Sequence, residues 1–300
     1  MDIQTSFLCP PGEGPIIRRD NGIGVCGGVG EVSEVIPRRA LPAGVTHYAS
    51  ATIFVEREVL PFNPRLIAWG EIHQERGATY VPTVTRFARE ILPGFARGGD
   101  ENRLILEVVP SGQRVAVELD RFFHQQPPIE LSQANTPLLW EAIQGEDMEG
   151  YILLFNEARR LGIEIIGGGL SISEAERTTR QPDFENNNEL QRLAARLITV
   201  RMRQAAVAQL RQHPRARVQM YGGAGHNNRR ASAYDNVRQR NFGQYFARWL
   251  GDRYLAVDLV LPYRQEVART LTDRIDLVPQ RGVTVITNEL GSISVLYPRD

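Results

Sequence analysis

The stretch Arg65-Leu66-Ile67-Ala68-Trp69-Gly70-Glu71-Ile72-His73-Gln74-Glu75 runs from an apolar segment through one glycine into a cluster of polar side chains. Residues 65 to 69 suit a buried strand, and Gly70 suits a sharp turn where the backbone leaves the sheet. If the extended backbone continues for a few residues, Glu71 and His73 point to the same side. A carboxylate and an imidazole then share one patch at the carboxyl end of a strand, where open α/β sheets hold their ligands. A second stretch repeats the plan: Val218-Gln219-Met220-Tyr221-Gly222-Gly223-Ala224-Gly225-His226. Gly70 to His73 and Gly223 to His226 are two Gly-x-x-His turns, the strongest functional signal in the chain.

Around these stretches, strand and helix patterns alternate. Val81 to Ala96 has helical spacing, and Arg103 to Val109 reads as a buried strand that carries Glu107. Leu138 to Leu161 reads as one helix and Ile163 to Ile166 as a strand before Gly167-Gly168-Gly169. A long helix covers Glu185 to His213, a short one Gly243 to Leu250, and strands cover 254–261, 283–287 and 292–296. The expected fold class is α/β, with a mainly parallel central sheet flanked by helices and extra β structure at the N- and C-terminal ends. Residues 1–60 read as a loop-rich N-terminal extension packed on the core, with Ala51 to Val55 as a strand. Residues 61–300 read as a single α/β domain of catalytic type. The glycine-dense run from Gly22 to Gly30 lacks the strand before it and the helix after it that a dinucleotide fingerprint needs.

Glu71, His73, Glu107 and His226 each lie at or next to the carboxyl end of an expected parallel strand, so the topology draws them toward one rim. Two carboxylates and two imidazoles support two kinds of chemistry. Glu71, His73 and His226 could hold a divalent metal, zinc or manganese, that activates water. Without a metal, one histidine oriented by a carboxylate can act as general base. Glu107 within an apolar run calls for a partner, and Arg201 on the long helix is the candidate. Tyr221 is either a ligand or a packed aromatic. His47, His124 and His213 read as ordinary hydrogen-bonded residues.

The chain has 300 residues, of which 42% are hydrophobic, enough for a substantial core. No apolar run is long enough to span a membrane. The opening residues lack a basic and apolar leader pattern, so a cytoplasmic protein, or one translocated without a cleaved signal, is expected. Cys9 and Cys26 do not make a disulfide framework. The formal net charge is +0, and all 35 basic residues are arginine. Lysine is a common residue, and it accepts ubiquitin and acetyl groups where arginine does not. Its absence fits either the composition of a GC-rich genome or a bacterial effector or toxin exposed to a eukaryotic host, with a host molecule as target. Between Leu190 and Arg240 there are eleven arginines and one acidic residue, Asp235. Arg229 and Arg230 follow the second turn directly, and with Arg201 they are candidates for binding an anionic group of a small-molecule or peptide substrate. Neutral overall charge and the lack of an aromatic-basic motif speak against nucleic acid.

Gly70-Glu71-Ile72-His73, then Leu106-Glu107, then Gly223-Ala224-Gly225-His226 resembles the superfamily joining erythromycin esterases, ChaN-like haem-binding proteins and TraB/Tiki proteins, with a related domain in some bacterial toxins. Trp140, Tyr151, the strand from Gly162 to Gly167, and Arg201 with Ala205-Ala206 extend the resemblance, which covers roughly residues 65–261. It implies that Glu71, His73, Glu107 and His226 form the active or ligand site. It also implies a hydrolase acting on an ester, lactone or amide, or alternatively a haem site with Tyr221 or a histidine as axial ligand. The lipid anchor of ChaN-like members and the membrane span of Tiki proteins have no counterpart here, so the substrate does not carry over.

Overall fold

Ile67 and Trp69 face one side of their strand, Leu66 and Ala68 face the other, and all four are fully buried. A strand buried on both faces belongs in the middle of a sheet covered by helices. The computed structural model describes residues 13–18, 24–28, 44–71, 80–96, 101–144, 147–227, 241–261, 278–287 and 292–298. The chain separates into two compact units, Met1–Ala40 and Leu41–Asp300. In the first unit, β1 (Glu13–Arg18) pairs antiparallel with β2 (Gly24–Gly28).

The second unit is built on β3 (Gly44–Tyr48), β4 (Leu66–Glu71), β5 (Asn102–Pro110), β6 (Glu164–Gly169), β7 (Arg217–Gly223), β8 (Tyr254–Val260), β9 (Val283–Thr287) and β10 (Ser292–Leu296). They form one eight-stranded sheet in the order β3-β9-β10-β8-β4-β7-β5-β6. From β10 across to β6 every neighbouring pair is parallel. At the other end β9 runs antiparallel to both β10 and β3. The fold class read from the sequence holds.

Two helices carry an inserted π segment. Helix α1 runs from Ala51–Phe54 through Val55–Val59 to Leu60–Phe62, and α2 from Thr83–Arg86 through Phe87–Ile91 to Leu92–Ala96. They are followed by α3 (Gln113–His124), α4 (Pro137–Ile143), α5 (Met148–Arg160), α6 (Ile172–Arg177), α7 (Asn188–Gln212) and α8 (Gly243–Leu250). Helices α1 to α5 share a core with Ile67, Trp69, Leu104 and Tyr221 on one face. On the other face Met202, Ala206 and Leu210 of α7 and Phe246 of α8 pack on Leu66, Ala68, Ile105 and Met220.

Three local expectations change. Ala51 to Val55 is helical, not extended. Ser50 caps it by accepting a hydrogen bond from the Ile53 N–H at 3.2 Å, and the buried Ala51, Phe54, Val55 and Val59 fall on one helical face. The single helix expected over Leu138 to Leu161 is two, α4 ending at Ile143 and α5 beginning at Met148. Gly70 does not end its strand: β4 continues through it to Glu71.

Candidate active site

Why a glycine stands at position 70 is clear from what surrounds it. A Cβ there would lie 2.6 Å from Asn227 Nδ2, 2.6 Å from Asp258 Oδ1 and 2.8 Å from Ala224 Cα. The residue is small to admit the turn that follows β7, not to bend β4. That turn is the short 3-10 segment Ala224–His226, and it folds back over the end of β4. Gly222, the register partner of Gly70 on β7, is small for a parallel reason: a Cβ there would collide with the Glu107 carboxylate from β5.

His226 is held at several points. Its Nδ1 lies 2.9 Å from Thr199 Oγ1 on α7, its ring stacks on Phe242 with centroids 6.3 Å apart, and its carbonyl accepts the Phe242 N–H at 2.9 Å. Glu107 Oε2 accepts the Gly223 N–H at 2.7 Å, at the start of the same turn. Asn227 closes the turn and is 1% exposed. Its Nδ2 donates to Asp258 Oδ1 at 2.9 Å, and its carbonyl accepts from the Tyr254 hydroxyl at 2.6 Å. Burial pushes the Asp258 carboxyl up to about 6, against a smaller lowering by the Asn227 hydrogen bond.

Glu71 ends β4 in a different environment. It is 5% exposed and follows Ile67 and Trp69 onto the face of α1 to α5. Its Oε2 accepts the Thr83 hydroxyl at 3.0 Å and the Tyr221 hydroxyl, and its Oε1 accepts the Tyr151 hydroxyl at 3.2 Å. Burial, with the Glu71 charge beside it, drives the Tyr221 hydroxyl well above its ordinary titration range. Asp147 lies near the same cage; burial, helped by the Glu71 charge, raises its carboxyl, while the Gly150 backbone and Thr85 hydrogen bonds pull the other way.

The expected residues therefore divide. Glu107 and His226 sit together over the α7 and α8 face, while Glu71 and Tyr221 sit on the opposite face at the same end of the sheet. Glu71 and Gly223 are register partners, so the two environments meet across one backbone step. His73, Arg229 and Arg230 lie outside the described residues. Tyr221 is 1% exposed and packs at a tilt of 40° against Phe87, so it is a core aromatic whose hydroxyl donates to Glu71. Arg201 does not pair with Glu107. Its guanidinium grips Glu174, with Nη2 to Oε1 at 2.7 Å and Nε to Oε2 at 3.0 Å. Burial favours the neutral form of Glu174, but the Arg201 and Ser171 hydrogen bonds outweigh it and hold the carboxyl at about 2.

Thr199, Asn227 and Asp258 were not singled out from the sequence. Asp258 carried a usable signal, because it stands inside the apolar run Tyr254–Val260 just as Glu107 stands inside its own. Asn227 directly follows His226. Thr199 had no signal, being one polar residue on a long helix.

No family model and no curated protein matches the sequence. Among solved structures, the chain is similar to an erythromycin esterase mutant, EreC, in its open conformation. The identity is 11% and the TM-score 0.55, over 85% of this chain and 97% of that one. It is also similar to the type III effector HopBA1, at 15% identity and TM-score 0.45, over 89% of this chain and 100% of that one. A third is ChaN of Campylobacter jejuni, with cofacially bound heme, at 14% identity and TM-score 0.40, over 76% of this chain and 95% of that one. At these identities the likeness is one of fold, and the fold of this chain is the one seen in the erythromycin esterase.

Proposed function

We propose that the protein is a hydrolase of ester, lactone or amide bonds in which His226 activates the attacking water. One observation carries the reading: the His226 imidazole is fixed through Nδ1 by Thr199 at the carboxyl end of a central strand, in a turn whose first amide is held by the Glu107 carboxylate. A base oriented through one ring nitrogen can exchange a proton at the other. Glu107 anchors the Gly223 amide and so holds the turn that carries His226. His73, two residues beyond Glu71, is the second imidazole of the proposed site, and Glu71 braces that strand end from below.

The Thr83, Tyr151 and Tyr221 hydroxyls engage Glu71 on one face while His226 lies over the other. Among the described residues, no three His, Cys, Asp or Glu side chains could hold an ion together. The Tyr221 hydroxyl is buried against Glu71 and does not fit as an axial haem ligand.

Purified protein assayed on p-nitrophenyl esters, lactones and short peptides tests the reading. His226→Asn should lower turnover by roughly 10²- to 10⁴-fold with the melting temperature little changed. Turnover equal to wild type would remove His226 from the chemistry. His73→Ala is the matching test of the other imidazole.

The absence of lysine supports a setting in which the protein works inside a eukaryotic cell on a host molecule. Converting the exposed Arg192, Arg196 and Arg211 to lysine should shorten its half-life there, with recovery when the proteasome is inhibited. An unchanged half-life would count against that setting.

A further inference from the structure

We infer that Thr199 is a positioning residue that fixes the tautomer of His226, keeping the proton on Nδ1 so that Nε2 is the nitrogen that gains and loses a proton. The inference rests on the hydrolase reading only for its consequence, not for its geometry. A threonine hydroxyl carries one proton and two acceptor sites. Thr199 Oγ1 donates that proton to the Ala195 carbonyl at 2.9 Å, the back-bond to the preceding turn that threonine makes within helices. Toward His226 Nδ1, also at 2.9 Å, the same oxygen has only lone pairs to offer. The imidazole must then donate from Nδ1. In the neutral ring the lone pair sits on Nε2, and in the imidazolium Nδ1 remains a donor, so the tautomer survives the cycle.

The arrangement is rigid enough to hold that choice. Thr199 is 5% exposed, on a helix whose neighbouring Met202 and Ala206 are packed in the core. Phe242 covers one face of the ring, nearly parallel to it at 17°. The His226 carbonyl is tied to the Phe242 N–H, and Asn227 is tied to Tyr254 and Asp258. Turning the ring over in its plane would put the Cδ2 carbon, not a nitrogen, against Thr199 and lose the hydrogen bond. The hydroxyl thus does for His226 what a carboxylate does for the histidine of a hydrolase triad, by orientation and without adding a charge.

The test reads the tautomer directly. Uniformly ¹⁵N-labelled full-length protein is recorded by two-bond ¹H–¹⁵N correlation above the titration of the ring, and His226 is assigned by loss of its signals in His226→Asn. Wild type should show a protonated, pyrrole-type Nδ1 and a pyridine-type Nε2. Thr199→Ser should keep that pattern, and Thr199→Val should lose it, moving the proton to Nε2 or averaging the two. Turnover by Thr199→Val should fall by about 10- to 100-fold in kcat with KM little changed, and Thr199→Ser should restore it. A wild-type spectrum with the proton on Nε2 overturns the inference, whether or not any variant folds. So does a folded Thr199→Val protein that still shows Nδ1–H. If the spectrum is as stated but no substrate turns over, the hydrolase reading fails and the assignment of Thr199 stands.

Discussion

Gly70 and Gly222 stand side by side as register partners on β4 and β7, and neither position has room for a side chain. The Asn227–Asp258 pair and the Ala224 backbone occupy the space over the first, and the Glu107 carboxylate occupies the space over the second. Two adjoining glycines therefore form a floor on which the groups of the candidate site rest.

A methyl group added to that floor should be costly at both of its positions. At Gly70 it meets the Ala224 backbone, which has no rotamer to escape into, so Gly70→Ala should cost roughly 1–3 kcal/mol of stability and shift the His226 turn. At Gly222 it meets the Glu107 carboxylate, which can swing away, and the Glu107 Cβ at 2.7 Å, which can move only with its strand. Gly222→Ala should therefore lose stability as well, and turnover with it, because Glu107 gives up the Gly223 amide. Thermal melts and ester hydrolysis read both effects.

The hydroxyl cage around Glu71 predicts a stability cost. Hydrogen bonds to a charged acceptor contribute about 1.5–3 kcal/mol each, and a buried group left unpaired costs a comparable amount. Glu71→Gln replaces one acceptor oxygen with an NH₂ that faces hydroxyl donors, and should destabilise by roughly 2–4 kcal/mol. Tyr151→Phe and Tyr221→Phe should each cost less, and a double-mutant cycle of either with Glu71→Gln should show coupling. Additive effects in urea denaturation would contradict the cage.

Asp258 predicts a pH dependence of one sign. Its folded carboxyl is raised from 3.8 to about 6, so the folded state holds this proton more tightly than the unfolded chain. The group favours folding at low pH, and that contribution is lost as pH rises from about 4 through 6. A shift of this size corresponds to roughly 2–3 kcal/mol. Asp258→Asn should therefore gain in melting temperature relative to wild type between pH 4 and pH 7. A constant difference across that range would show that burial of the carboxylate carries no penalty.

Glu174 predicts the opposite slope. Its folded carboxyl is depressed from 4.5 to about 2 by Arg201 and Ser171, against burial, so the stabilisation is present above pH 4.5 and is lost as pH falls toward 2. Wild type and Glu174→Gln should melt far apart at pH 6 and converge near pH 2. Arg201→Lys should recover only part of the difference, since an ammonium cannot reproduce the two-pronged guanidinium contact.

The layered fold was legible because its central strands are largely apolar runs and its long helices show a clear period. Ala51 to Val55 misled because β-branched residues fit both patterns, and the deciding evidence was Ser50 with the spacing of Phe54, Val55 and Val59. Glu107 and His226 were legible as polar residues at strand ends, and the structure brings them to one turn. Arg201 was matched to the wrong acid, since nothing in the sequence says that α7 lays this residue against the Ser171–Glu174 cap of α6 rather than against β5. Thr199 was invisible for the same reason: its significance depends on the rotation of α7 over the sheet.

The position of β4 also constrains how the chain is made. Its two neighbours in the sheet, β7 and β8, are supplied by residues 217–223 and 254–260, while β4 itself is residues 66–71. A nascent chain emerging from the ribosome thus carries this buried strand without either neighbour until about 150 further residues have been translated. Such long-range pairing is slow and leaves apolar surface exposed in the meantime. Premature termination anywhere before β7 should yield not a smaller version of the protein but a chaperone client.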